Sequence, residues 1–331
     1  MKLNVIAIAL LCMAFTSCNK LISSTEENNQ NQRDFEYLNQ LVKTKYPFLK
    51  FKHINWDSLV SAYQPRVDQA QGDEVYPVFH SLLSNLKDGH IQLITEGGFP
   101  MQTYIWPRYK DHTSFSQVVI STYFNQKLQL AGEGNFAYGI LPNNAGYIYL
   151  SSFEEGDWAT DIDKILRDLS NTKGLILDVR NNGGGSSNIS DVIISRFIST
   201  HITETFYYKD GTINSQLQIQ PSGFVKYYKP VVILINGASF SCAELLPDLM
   251  KQLPNVTTVG DTTGGGGGST QFFTLPSRKR IRMPYAFFVQ SKDSKMVEWN
   301  GIVPDIVVPQ TAADVANGVD KQLEQAIKLL K

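Results

Sequence analysis

The chain has 331 residues, of which 42% are hydrophobic and 11% aromatic. That is enough for a sizeable buried core and, at ~150 residues per domain, for about two domains. With 18% charged residues and 30 Lys+Arg against 31 Asp+Glu, the formal charge is −1, which excludes a nucleic-acid binder held by phosphate contacts and a largely disordered chain.

Residues 1–18, MKLNVIAIALLCMAFTSC, join a positive Lys2 to an apolar run from Val5 to Phe15. The run is shorter than the ~20 residues of a membrane-spanning helix and fits a signal peptide. Its end, Phe15-Thr16-Ser17-Cys18, resembles a bacterial lipoprotein box. The resemblance implies lipidation of Cys18 and export to a cell-envelope membrane, on its periplasmic or surface face. Ordinary cleavage nearby is the alternative. Residues 19–33, NKLISSTEENNQNQR, are polar and read as a flexible tether. With Cys18 lipidated, Cys242 remains as a free thiol and no disulfide is expected.

Residues 34–89 read as a helical N-terminal region. Phe35, Leu38 and Leu41/Val42 recur at helical spacing, as do Trp56, Leu59/Val60 and Tyr63, then Val75, Phe79, Leu82/Leu83 and Leu86. Gly89 stands where a C-cap glycine would. Residues 90–135 read as a β-rich connecting segment with QVVISTYF (117–124) as a strand. A hairpin is expected around Pro142-Asn143-Asn144-Ala145-Gly146.

From 136 to 331 the pattern alternates. A helix near 159–170 precedes the apolar run GLILDV (174–179), a Gly-rich loop and a helix near 188–199. PVVILIN (230–236) is followed by a helix from about 241 and the strand VTTVG (256–260). Strands return near 271–291, and a last helix carries Val319, Leu323, Ile327 and Leu330 on one face. Apolar strands followed by helices predict buried parallel strands in βαβ units, an α/β core.

Two strand-to-helix junctions carry the candidate chemistry: Leu177-Asp178-Val179-Arg180-Asn181-Asn182-Gly183-Gly184-Gly185 and Asn236-Gly237-Ala238-Ser239-Phe240-Ser241-Cys242-Ala243-Glu244. In parallel α/β sheets, ligands bind beyond the C-terminal strand ends, where both lie. Ser241 with Glu244 three residues later is a capping box. It is equally a serine at a helix start, where the free amide of Cys242 could hold an oxyanion. The triple glycine and Gly264–Gly268 let backbone approach a ligand, but neither continues into a nucleotide-binding pattern, so no nucleotide is expected. No His/Cys cluster has metal-ligand spacing, so no metal is expected either.

"LILDVRNNGGG", "NGASFSCAE", "VGDTTGGGGG" and "NGIVPDIVV", in that order, resemble the C-terminal processing (tail-specific) peptidases, the serine-peptidase family that includes the tricorn core protease and retinoid-binding modules. The resemblance covers residues 136–331 and implies a ClpP/crotonase-like α/β peptidase core. The helices and the Lys-Asp-Gly-His segment look like the family's bacterial lipoprotein members. No PDZ domain fits between His90 and Phe136, so capture of substrate in a PDZ groove is not implied.

The resemblance puts the nucleophile on Ser241, with Ser239 the weaker candidate. It puts the oxyanion donors on the Cys242 amide and one from Gly183 or Gly184. Asp178 and Arg180 would position the glycine turn. The tail-specific branch activates its serine with a lysine, but the matching place here is Gly266, and no lysine lies between Lys251 and Lys279. The tricorn branch uses a histidine supported by a glutamate. That implies His90 as general base and Glu298 as its support, whereas His80 belongs to packing in its helix. Gly89 stands where the tricorn branch has a serine, so His90 could be oriented by Glu298, Asp88 or a backbone carbonyl. A solvated strand-edge carboxylate is the bland reading of Glu298.

The expected activity is hydrolysis of a peptide or protein substrate without a cofactor. The rival is a catalytically inactive lipoprotein binding a peptide or apolar ligand on the same fold.

Overall fold

The structure, a computed structural model, describes residues 29–95, 97–154 and 156–331. The signal segment, Cys18 and residues 19–28 lie outside the described residues. Helices run over 29–45 (α1), Trp56–Gln69 (α2), Val75–Ser84 (α3), Gln117–Ser121 (α4), Trp158–Asp168 (α5), Ser187–Ile194 (α6), Cys242–Met250 (α7), Ala312–Ala316 (α8) and Lys321–Leu329 (α9). Strands run over Gln92–Ile94 (β1), Pro100–Gln102 (β2), Gln129–Ala131 (β3), Phe136–Ile140 (β4), Gly146–Leu150 (β5), Leu175–Asp178 (β6), Ile202–Tyr208 (β7), Ile213–Ile219 (β8), Val231–Ile235 (β9), Val256–Gly260 (β10), Gly268–Thr274 (β11), Arg280–Phe287 (β12) and Ile306–Val307 (β13).

Two compact units result. Of the described residues, one takes those up to Ile105 from residue 29 on, together with Thr270–Ala286; the other takes those of Trp106–Ser269 and Phe287–Lys331. In the first, the apolar stripes of α1 and α3 meet, burying Phe35, Leu38, Val42, Phe79 and Leu82, with the Phe35 and Phe79 rings stacked 6.2 Å apart. Its sheet pairs β1 antiparallel with β2 and β12, placing Leu93 opposite Met101 and Ile281.

The second unit is built on a seven-stranded sheet in the order β13-β10-β9-β6-β5-β4-β3. β5, β6, β9, β10 and β13 are parallel; β4 and β3 extend the edge antiparallel. Alternation explains the unbroken apolar runs. Leu175, Leu177, Val231, Ile233 and Ile235 pack on one face with side chains of α5, α6 and α7. Ile176, Val232 and Leu234 pack on the other with Leu323 and Ala326 of α9. Each such side chain stabilises the fold by roughly 1.5–3 kcal/mol through burial. Side-chain caps set helix starts: the Asp157 carboxylate accepts from Thr160 N and the Asp320 carboxylate from Leu323 N.

Three sequence expectations meet corrections. Residues 29–33, read as tether, are already helical, because Asn31 and Gln32 find polar partners. Asn31 Nδ2 donates to the carbonyls of Ala70 and Gly72 at 3.2 and 3.1 Å, and Gln32 Nε2 to Asp68 Oδ1 at 2.7 Å. In the run 117–124, where a strand was expected, Gln117–Ser121 form helix α4 and a turn follows. Ser116 caps the helix through Val119 N, and Val119 and Ile120 turn inward while Val118 is 76% exposed. Gly89 does not cap α3, which ends on Asn85; Lys87 takes the positive φ, at 47°. The hairpin at 142–146 forms between β4 and β5.

Candidate active site

The glycine turn leaves the end of β6. The fully buried Asp178 carboxylate accepts from Arg180 N at 3.1 Å and from the Arg180 guanidinium at 2.7 and 2.9 Å. Arg180 Nη1 reaches the Asp320 carboxylate at 2.9 Å and Gln322 Oε1 at 3.1 Å, tying the turn to the start of α9. Asn181 takes φ +57° and pairs with Asn236 twice, N–H to Oδ1 at 3.0 Å and Nδ2 of Asn236 to Oδ1 at 2.8 Å. The two junctions are thereby locked side by side.

Asn182 decides which glycine amide is available. Its Oδ1 accepts the Gly184 N–H at 2.8 Å, so the amide of Gly184, one of the two expected oxyanion donors, is engaged inside the turn. Gly183 is exposed, and its N–H makes no hydrogen bond to the described residues. Gly184, at φ +95°, serves by lacking a side chain. A Cβ there would stand 2.8 Å from Ser241 Cβ and 3.0 Å from Cys242 N.

At the second junction the two serines separate in role. Ser239 is fully buried; its hydroxyl donates to Val179 O at 2.8 Å and accepts from Asn236 N at 3.1 Å, a structural commitment. Ser241 is half-buried and caps α7 at φ +59°, ψ −124°, a backbone state costly for a residue with a Cβ. A serine on a strained strand-to-helix turn is how hydrolase folds expose a nucleophilic hydroxyl. The Cys242 N–H beside it has no partner among the described residues and lies at the positive end of the helix dipole. Burial, with Glu204 adding to it, pushes the Cys242 thiol up to about 12, so it stays protonated and unreactive.

The strain is held by Glu244. Its buried carboxylate accepts from Ser241 N (3.0 Å), Thr263 Oγ1 (2.5 Å), Gly265 N (2.8 Å) and Gly266 N (2.6 Å). Burial pushes it up to about 7 against the opposing pull of those four donors. One half of the expected capping box thus also clamps the glycine loop.

Gly266, where the tail-specific branch carries lysine, has no room for a side chain. A Cβ there would stand 2.4 Å from Phe240 Cζ. The Phe240 ring is fixed by stacking on Trp106, centroids 3.9 Å apart and planes 14° off parallel, while Trp106 Nε1 donates to Gly237 O at 3.0 Å. Glu298 is 2% exposed and accepts from Gly267 N at 3.2 Å, so it is not a solvated strand-edge carboxylate.

His90 belongs to the first unit and is 3% exposed there. Burial pushes its imidazole down to about 4, against the pull of Asp88, with Arg282 and Lys52 adding to the fall. Asp88 Oδ1 accepts the His90 backbone N–H at 2.8 Å and stands 3.8 Å from ring Nδ1, so it fixes the main chain and not the ring. Its other oxygen accepts from Tyr46 OH at 2.8 Å, with Lys52 Nζ at 3.5 Å. His80, on α3, meets Gln102 O through Nε2 at 3.0 Å, a packing role.

An α/β sheet that sets a strained serine and unpartnered amides at its strand ends defines a protein with a serine-hydrolase-type site. The sequence matches peptidase family S41 over residues 144–308 and the tricorn protease C1 domain over 27–76. A solved structure of a candidate peptidase from Parabacteroides merdae is 31% identical, with a TM-score of 0.78, and the match covers 91% of this chain and 96% of that one. The chain belongs to peptidase family S41. It is 25% identical to a carboxy-terminal-processing protease of Bartonella bacilliformis over 56% of its own length and 44% of that protein. It is 31% identical to tricorn protease homolog 1 of Streptomyces coelicolor over 56% of its own length and 16% of that protein. The chain thus spans less than half the length of these curated relatives.

The clamp that Glu244 places on the glycine loop escapes sequence reasoning about the site, although the Glu at the third position of α7 is a visible signal for it.

Proposed function

We propose that the chain is an exported serine peptidase that hydrolyses peptide bonds through an acyl-enzyme on Ser241, with His90 as general base and Glu298 as its support. Ser241 Oγ attacks the scissile carbonyl carbon as its proton passes to His90. The Cys242 and Gly183 amides hold the oxyanion, an interaction worth ~10²–10³ in rate per donor. Collapse expels the amine, which takes the proton from His90. Water then attacks the ester with His90 again as base, and Ser241 recovers its proton. The reading needs no cofactor.

The observation that carries it is the strained Ser241 beside the unpartnered Cys242 amide. The bar to any side chain at Gly266 supports a histidine base over lysine. The segment 1–18 supports export and a lipid anchor at Cys18, so Cys18→Ser should release the protein from membranes; no helix of the described residues is long and apolar enough to cross one.

The test is a fluorophosphonate probe on the full chain in detergent, the adduct mapped by mass spectrometry. Labelling is expected at Ser241, slowed ~10²–10⁴-fold by His90→Ala. A folded chain that does not label overturns the reading in favour of a binding protein. Because the neutral imidazole accepts the proton and burial holds it near 4, the labelling rate should stay flat down to about pH 5 and halve near pH 4. An inflection near 6.5 would count against His90.

A further inference from the structure

One buried charge has no place in the proposed chemistry. Lys52, in the turn after α1, is the one lysine buried among the described residues, and neither its side chain nor that of Asp88 has exposed surface. A buried ammonium is costly unless its donors are filled. Here all three are used. Nζ donates to Tyr46 OH at 2.9 Å, to Leu86 O at 3.1 Å and to Lys87 O at 3.1 Å, with the rings of Phe48 and Tyr46 centred 5.4 and 5.6 Å away.

The oxygens it gathers belong to the segment that delivers His90. The chain leaves α3 at Asn85 and passes through Lys87 at φ +47°. The carbonyls on either side of that left-handed residue, those of Leu86 and Lys87, converge on the ammonium. Tyr46 passes the hold on. While accepting from Lys52 it donates to Asp88 Oδ2 at 2.8 Å, and Asp88 Oδ1 accepts the His90 N–H at 2.8 Å. Each bond in this row fixes the next, from a buried charge to the main chain of the histidine.

A helix C-terminus needs no charge, since glycine or water closes such ends elsewhere. What this lysine adds is a fixed charge on the turn. Although burial pushes the other way, Lys52 and then His90 hold the Asp88 carboxyl below its usual range. The charges that act on the His90 ring are those of Asp88, Arg282 and Lys52, all of the same unit.

We propose that Lys52 is a positioning residue for His90, holding the main chain of the 86–90 turn and with it the place from which the imidazole accepts a proton. The proposal rests on His90 being the general base.

The experiment replaces Lys52 with Met, which keeps the length and loses the charge and its donors, and Tyr46 with Phe, which cuts the link to Asp88. The fluorophosphonate labelling rate of Ser241 in the full chain should fall about ten- to a hundredfold in Lys52→Met and about threefold or more in Tyr46→Phe. In Lys52→Met the pH at which the rate halves should also rise above 4, because a cation that disfavours the imidazolium is gone. Folded variants with the wild-type rate and midpoint overturn the proposal, and so does a lower urea midpoint alone, the mark of a merely structural lysine. If Lys52→Met does not fold, Tyr46→Phe decides through the same rate per folded molecule. If the wild type does not label at Ser241, the peptidase reading fails, and Lys52 is judged from the Cε1–Hε1 NMR signal of His90 in a chain carrying ¹³C-histidine, assigned with His90→Ala. A shifted signal whose titration midpoint rises in Lys52→Met then supports the hold on His90, and an unchanged signal overturns it.

Discussion

Two buried glutamates in the same unit differ in how they are partnered. Glu244 accepts from four donors, three of them backbone amides; Glu204 accepts from none of the described residues. Both are almost inaccessible, and burial raises both. Burial therefore does not separate a satisfied acid from an unsatisfied one; the count of satisfied lone pairs does.

The largest effect should come from Glu244→Gln. The carboxamide keeps the shape but offers one acceptor oxygen to donors that filled two, and turns an N–H₂ towards them. A loss of about 3–5 kcal/mol is expected, read as a lower urea midpoint, with Ser241 labelling falling as its turn relaxes. Thr263→Val comes next. It removes the hydroxyl that donates to Glu244 and accepts from Ile302 N at 2.7 Å, costing about 1.5 kcal/mol. Were either variant neutral, the clamp would not be holding the loop.

Glu204→Gln should cost no stability, and its effect depends on pH. Glu204 rises from about 4.5 unfolded to about 8 folded, so its protonated form contributes stability that is full below 4.5 and lost as pH rises through 8. The wild type should therefore lose ground to Glu204→Gln as pH rises, by at most about 1.4 kcal/mol between pH 5 and 6. A pH-independent loss as large as that of Glu244→Gln would erase the distinction between the two acids.

Much of this architecture was legible in the sequence because its strands are buried on both faces. GLILDV and PVVILIN can satisfy their apolar content only inside a parallel sheet, and both junctions follow from them. QVVISTYF misleads because a short apolar run fits either period, and Ser116 as cap decides the outcome. In the candidate site, a serine at the start of α7 was legible from its pattern. The loss of the Gly184 amide to Asn182 was not, since it depends on the rotamer of one carboxamide. Glu204, in the stretch ITETFYY, draws no reading from the sequence, because a missing partner is a property of the packed fold and not of the local pattern.

The packing of Phe240 on Trp106 also restricts which neighbouring sequences can be functional. A single change of Gly266 to lysine would push its Cβ against the phenyl ring, so the variant would disrupt the loop before the new amine could serve Ser241. Reaching lysine chemistry from this chain requires shrinking Phe240 first, and that step leaves Trp106 without its stacking partner and gains no base. The two chemistries are separated here by a pair of substitutions, the first of which brings no catalytic benefit.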